Sequence, residues 1–415
     1  MIDIKLIREN PEAIKKAAES KNIQVNTDHV LEIDQKYREL SFLVQTLREE
    51  RNKYAKERNI EKGKGIKEKL EKEEKALLAV KEELDRELLK IPNPPKSDVK
   101  IGKNESENEI VRKYKEPTKL DFKPRDHLEL GELLNIIDIK RAAKVSGARF
   151  DYLINEGALL EFALKQFAFD ILTKEGFIPV IPPALIKKEI MDELGYTQME
   201  EEENIFSLDK DNLYLVGTSE QSIVPMFKDE TLRKEDLPKR FAGFSTCFRR
   251  EAGSYGKDTR GIFRVHQFDK VEMVSFVEEG KDDEEHEYLL SLEEKLFKML
   301  EIPYQVVKMC TGDLGFPAAR KYDIEAWVPS QNKYREVTST STTTDFQSRK
   351  LNIKYQNDPP TGGEKKYVNV LNGTAFSMNR PIIVILENYQ QEDGSVLIPE
   401  VLQKYIGKKI INPQK

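Results

Sequence analysis

Between Phe248 and Glu272 the chain reads FRREAGSYGKDTRGIFRVHQFDKVE, with four arginines (Arg249, Arg250, Arg260, Arg264) set among Glu251 and Glu272. A guanidinium is planar and permanently charged, and it can grip a carboxylate or phosphate through two parallel hydrogen bonds. Several on one element therefore suit a polyanionic ligand. The apolar residues Phe248 and then Ile262, Phe263, Val265 and Phe268 flank a Gly/Ser/Asp-rich stretch at 252–260. That arrangement predicts a long antiparallel hairpin. The residues alone leave two readings open, a grip on a polyanion or a solvated edge hairpin whose charges pair with one another.

Three further stretches carry polar groups at the ends of apolar runs. NLYLVGTSE (212–220) is a short strand ending at Thr218, Ser219 and Glu220; these hydroxyls could cap the next helix or meet a ligand. KYDIEAWVP (321–329) alternates as a half-buried antiparallel strand should. It is followed by Arg335, Glu336, Val337, Thr338 and Ser339, and then by a hydroxyl-rich stretch expected to be a loop to Gln347. LNGTAFSMNRPIIVILENYQ (371–390) carries Asn372 and Thr374, places Arg380 immediately before a helix, and puts Pro381 just inside its start.

The elements that must position these groups begin with an arm. After an amphipathic segment at 1–28 with Asn10-Pro11 as a turn or helix start, apolar residues recur three and four apart. They run from Val30, Ile33, Tyr37, Leu40, Val44 and Leu47 to Tyr54, and again from Ile66 and Leu70 through Leu77, Val80, Leu84 and Leu88 to Ile91. The NIEKGKGI between them, with Gly63 and Gly65, is expected to reverse the chain, making an antiparallel helical hairpin. Each helix is about 45 Å long at 1.5 Å per residue. Lys56, Arg58, Lys62, Lys64, Lys67 and Lys69 gather at its tip. Such an arm could be a dimerising or spacing coiled coil, or could touch phosphates without reading sequence. Pro92, Pro94 and Pro95 stop the second helix, and the polar stretch to about Pro117 reads as a linker into a mixed body. There GALLEFALKQFAFDIL (157–172) reads as a helix and GFIPVIPPAL as a strand.

Length and composition bound the rest. At 415 residues two domains are the natural expectation. A net charge of −6 confines any nucleic-acid footprint to local patches. Cys247 and Cys310 form no CxxC pair and the four histidines are scattered, so no structural zinc is expected and a reducing, cytoplasmic compartment is. Neither a membrane span nor a signal peptide is indicated.

Phe-Arg-x-Glu, a loop, and then Arg-x-x-x-Phe resembles motif 2 of the class II aminoacyl-tRNA synthetases. EAGSYGKDTRG with HQFDKVEM is similar to the seryl-tRNA synthetase family in particular, and the likeness runs from Met1 to about Gly407. It implies an α+β fold: a class II catalytic domain at 111–415, mainly antiparallel sheet flanked by helices. It also implies a tRNA-binding domain at 1–110 with a long antiparallel coiled-coil arm. Motif 1 falls at about 157–183, motif 2 at 245–273 and motif 3 at 371–390.

The activity implied is ATP-dependent formation of seryl-adenylate from L-serine and transfer to the 3′ end of tRNA(Ser), with tRNA(Sec) left open, by a homodimer with no membrane attachment. Arg249 is expected to bridge the serine carboxylate and the α-phosphate, and Glu251 to meet the adenine edge. Phe268 and Arg380 would lie on the two faces of the base, Arg264 on the β- or γ-phosphate, and Arg250, Val337 and Thr338 within the ATP site. Glu336 and Ser339 are hard oxygen ligands for Mg²⁺. Glu272 and Thr374, with Thr218, Ser219, Glu220 and Asn372 beside them, match the serine pocket, and the loop at 254–260 would meet the tRNA acceptor end. Motif 3 departs from the family's usual glycine-rich run, the stretch after Glu336 is unusually rich in threonine, and the Cys ligand of the rare zinc-dependent subtype is missing. An enzyme loading a carrier protein would lack the arm, and an inactive scaffold would have lost the arginines.

Overall fold

The computed structural model describes residues 1–197, 204–251, 260–356 and 365–414, which divide into two units, Met1–Pro94 and Pro95–Lys415. In the first, α1 (Ile4–Glu9) and α2 (Pro11–Ser20) meet at Asn10, whose side chain accepts a hydrogen bond from the Ala13 N–H while Pro11 occupies the first helical position. Two 30-residue helices follow, α3 (Thr27–Lys56) and α4 (Ile60–Leu89). Their apolar stripes close into two clusters. Val30, Ile33, Leu84 and Leu88 pack with Ile2, Ile7 and Ile14, and Val44 and Leu47 pack with Leu70. The buried Asp34 carboxylate takes two hydrogen bonds from Arg8, at 2.7 and 2.5 Å, and one from Arg38 at 3.1 Å, which ties α1 to the hairpin.

The chain reverses at residues 57–59, not at the glycines. Arg58 takes the left-handed conformation (φ 56°), and Asn59 caps α4 by accepting from the Lys62 N–H at 3.2 Å. Gly63 and Gly65 lie inside α4 with open space where a Cβ would be. A good N-cap thus fixes the helix start ahead of the more permissive residues.

The second unit is built on an eight-stranded sheet: β1 (Glu109–Tyr114), β2 (Ile178–Val180), β3 (Lys239–Phe248), β4 (Gln267–Val277), β5 (Tyr304–Lys308), β6 (Arg320–Val328), β7 (Lys333–Thr344) and β8 (Asn369–Ser377), in the order β1-β5-β6-β7-β8-β4-β3-β2. All neighbours are antiparallel except β2 on β3. Helices α5 (Glu156–Lys174), α6 (Glu220–Ile223), α7 (Asp282–Met299) and α8 (Asn379–Asn388) accompany it. Of these α5, α7 and α8 join the sheet in one apolar core through residues such as Phe167, Phe297 and Ile382.

Three expectations need correction. The stretch read as a linker contains β1, an edge strand paired to β5. Its side chains are almost all exposed, so it has no alternating pattern to betray it. The hydroxyl-rich run after Glu336 is the interior of β7, not a loop. Thr340 and Thr343 are buried there and donate to the carbonyls of Asn372 (2.7 Å) and Val370 (3.0 Å) on β8. A β-branched residue whose hydroxyl is satisfied sits as well in a central strand as valine. Finally, the hairpin pairs Phe248 with Gln267, so Ile262, Phe263 and Val265 precede β4 and enter the core as irregular chain.

Candidate active site

Beyond the end of β3, and across β4, β7 and β8, the sheet opens into a cleft of about 440 Å³. Arg249 stands where β3 ends. Its Nε donates to the Gly217 carbonyl at 3.2 Å, and its guanidinium lies 5.5 Å from the Phe268 ring centre. Glu251 has a positive φ of 48°, which turns its carboxylate to Arg264 at 3.1 Å while Arg149 donates to its carbonyl at 2.7 Å. Arg380, at the start of α8, holds the Glu336 carboxylate and the Glu336 carbonyl, each at 3.0 Å, and lies 4.9 Å from the Phe263 ring centre. Three guanidinium groups and an aromatic face therefore line one cavity, as a nucleotide triphosphate requires.

Glu336 and Ser339 are three residues apart, which in a regular strand would send them to opposite faces. The register of β7 against β6 shifts between Ile324 and Glu325, so that Glu336 faces Glu325 while Thr338 faces Ile324. The extra residue, Val337, brings Glu336 and Ser339 into the same cleft. Burial alone would raise the Glu336 carboxyl. Arg380 and Lys321 outweigh it and hold the group down to about 2, so it is an ionised carboxylate throughout the neutral range.

The floor is a buried polar layer. Glu272 on β4 faces Thr374 on β8 across another register shift. The Thr374 hydroxyl donates to the Glu272 carboxylate at 3.0 Å, and the Lys270 ammonium lies 2.5 Å from the same oxygen. All three are nearly inaccessible. At the start of α6, Glu220 receives hydrogen bonds from Gln347 at 2.8 Å and Tyr196 at 2.9 Å, and its burial pushes its carboxyl up. The Thr218 hydroxyl accepts from the Glu220 N–H at 3.4 Å, a cap-like contact. Such a layer can take one ammonium and one small hydroxyl, because each buried oxygen and ammonium demands a partner.

Of the sequence-predicted residues, Thr218, Glu220, Arg249, Glu251, Arg264, Phe268, Glu272, Glu336, Val337, Thr338, Ser339, Asn372, Thr374 and Arg380 line this cleft. Two do not. Ser219 is buried with its hydroxyl 3.4 Å from the Gly243 carbonyl. Arg250 donates to the Ile205 carbonyl at 2.8 Å and lies over Phe206, since alternation along the extended chain turns it away from Arg249. The loop at 254–260, apart from Arg260, lies outside the described residues. Lys270 and Lys321 line the cleft without having been anticipated. The signal for Lys270 was its spacing: two residues before Glu272, it had to share that side chain's face of β4.

A family model described as the tRNA synthetase class II core domain (G, H, P, S and T) matches residues 203–389, and one described as the seryl-tRNA synthetase N-terminal domain matches residues 1–95. The serine–tRNA ligase of Dictyoglomus turgidum is 44% identical over the whole of both chains. The chain belongs to the seryl-tRNA synthetase family. Another serine–tRNA ligase, from Rubrobacter xylanophilus, is 42% identical, again over the whole of both chains. Among solved structures, the seryl-tRNA synthetase of Pyrococcus horikoshii complexed with ATP covers the whole chain with a TM-score of 0.91 at 40% identity. The cytoplasmic enzyme of Naegleria fowleri in complex with AMP gives 0.88 at 33%, covering all of this chain and 99% of that one. This synthetase is thus an ATP-using aminoacyl-tRNA ligase on the class II core, and the predicted α+β architecture is the observed one.

Proposed function

We propose that the cleft joins L-serine to ATP and then passes the seryl group to serine tRNA, with the roles divided as follows. Arg249 bridges the serine carboxylate and the α-phosphate, so that a carboxylate oxygen attacks phosphorus while the bond to the leaving pyrophosphate breaks. Arg264 steadies the β- or γ-phosphate, Glu251 takes the adenine edge, and Phe268 and Arg380 face the two sides of the base. The terminal ribose hydroxyl of the tRNA then attacks the acyl carbon and AMP leaves. Both steps gather negative charge where the guanidinium groups already point, so positioning and electrostatics carry the catalysis. Glu272, Lys270, Thr374 and Glu220 read serine. A pocket that must satisfy a hydroxyl rejects alanine strongly, whereas excluding the extra methyl of threonine is worth only about 1–3 kcal/mol.

Among the described residues no three His, Cys, Asp or Glu side chains converge as a metal cage. Glu336 and Ser339, one ionised carboxylate and one hydroxyl in the same cleft, fit a Mg²⁺ ion that takes its other ligands from phosphate and water. Such an ion would neutralise phosphate charge.

The arm is the tRNA-binding element in this reading: all six tip cations are exposed, and phosphate contacts need no more. The homodimer rests on an open sheet edge. On and beside β2, Ile178 (48% exposed), Ile181 (82%) and Phe162 of α5 (60%) leave apolar surface bare, which suits a second copy of the chain. A cytoplasmic enzyme accords with two free buried cysteines and with no described helix being long and apolar enough to cross a membrane. Whether tRNA(Sec) is a second substrate is answered by charging it directly. The single observation carrying the reading is the joint placement of Arg249, Phe268, Glu336 and Arg380 in one cleft over the Glu272–Thr374 floor. Serine-dependent ATP–pyrophosphate exchange followed by charging of tRNA(Ser) tests it: exchange without charging would redirect it to a carrier, and no exchange would refute it.

A further inference from the structure

Helix α7 carries several buried acids beneath the sheet, and most are visibly matched. Asp282 takes hydrogen bonds from Thr342 (3.2 Å) and Asn369 (3.1 Å). Glu285 receives Arg240 bidentately at 2.7 and 2.6 Å, and Glu294 accepts from Tyr304 at 2.9 Å. Glu293 differs. It is 0% exposed, and neither carboxyl oxygen makes a hydrogen bond of standard geometry.

What Glu293 abuts is the floor of the serine pocket. A Cβ added to Gly373 on β8 would come 2.9 Å from Glu293 Oε1 and 3.1 Å from the Thr340 hydroxyl, so the acid fills the space that a side chain at 373 would need. The next residue is Thr374, whose backbone N–H lies against the Glu293 carboxyl and whose hydroxyl is held by Glu272. A buried carboxyl without a full set of partners is destabilising, and an apolar residue of like shape would ordinarily be preferred there. Its presence under this strand calls for a role.

We propose that Glu293 is a positioning residue for the amino-acid pocket: from beneath β8 it sets the Gly373–Thr374 segment against the Glu272–Lys270 pair, and so fixes where the serine hydroxyl is read. The inference rests on the serine pocket argued above. Burial, and then the facing charges of Glu272 on β4 and Asp323 on β6, raise the Glu293 carboxyl well above its ordinary range, with Lys270 and the Thr374 N–H opposing. That direction favours the uncharged acid, a form able both to accept and to donate. Neutrality matters because Lys270 is then left to Glu272; an ionised Glu293 would compete for it.

The test compares Glu293→Gln, which keeps shape and neutrality, with Glu293→Asp, which withdraws the carboxyl by one methylene. Serine-dependent exchange is measured for both under varied serine and varied ATP. The expected result is a serine KM within about threefold of wild type for E293Q and raised about tenfold for E293D, with the ATP KM of each within about twofold. An equal rise in both KM values, a fall in kcat alone, or an E293Q as impaired as E293D would overturn the proposal, and so would two unaltered variants. Wild-type chain is the control: if it shows no exchange with serine, the serine pocket itself fails and this inference with it, whereas normal wild-type exchange beside unaltered variants removes the inference alone.

Discussion

A guanidinium held by the Gly217 carbonyl and laid over Phe268 has little rotamer freedom left to lose when a carboxylate and a phosphate arrive. Arg249→Ala should therefore lower exchange by about 10²–10³-fold while the melting temperature stays within a few degrees, and near-normal exchange would remove Arg249 from the chemistry. Lys270 supports a different prediction, about stability. It is 5% exposed and its ammonium touches a Glu272 that is 2% exposed. Lys270→Met leaves that carboxylate buried without a counter-ion, an effect of about 3–5 kcal/mol in urea unfolding; a loss under about 1 kcal/mol would mean the pair is looser than its geometry. Neither role was equally visible in the chain. Arg249 is announced by its company of arginines, whereas Lys270 is one lysine among many until β4 shows it to share a face with Glu272.

At the scale of elements, α5 and β4 bring together two half-buried acids, Glu161 and Asp269, that should leave a mark on stability. Burial, and then the neighbouring Asp269, raise the Glu161 carboxyl to about 8 despite Lys165, from an ordinary 4.5. The folded chain holds this proton where the unfolded chain has released it. The group's contribution is thus full below about 4.5 and is lost as pH rises through about 8. Glu161→Gln should flatten that part of the stability–pH curve, and an unchanged slope between those values would contradict the assignment. Strong periodicity made the arm helices, α5 and β6 legible in advance. What escaped notice had physical reasons. β1 is an exposed edge held by backbone pairing, β7 hides its strand character in threonines whose hydroxyls bond to β8, and the arm turns at Arg58 because Asn59 caps the next helix ahead of the glycines. The bulge at Val337, which aligns Glu336 with Ser339, is a matter of register between β6 and β7 that no pattern within either strand encodes.

At the scale of the whole molecule, the two units invite separate loss. Deleting residues 52–76 and rejoining the arm helices should leave exchange within about twofold and lower tRNA(Ser) charging by about 10²-fold or more, as loss of several phosphate contacts would. Equal loss of both activities would argue against an arm devoted to RNA. Ile181→Glu beside β2 should convert the proposed dimer to a monomer in sedimentation, since a charge on that bare apolar surface would have to be desolvated on association; an unchanged dimer would move the interface elsewhere.

The most direct test of the central claim, that one arginine-lined cleft over a Glu272–Thr374 floor activates serine with ATP, is amino-acid-dependent ATP–pyrophosphate exchange by the full chain with serine, alanine and threonine side by side. Rapid exchange with serine, at least about tenfold faster than with threonine and far faster than with alanine, is the expected result. No exchange with serine, or exchange as fast with alanine, would contradict it.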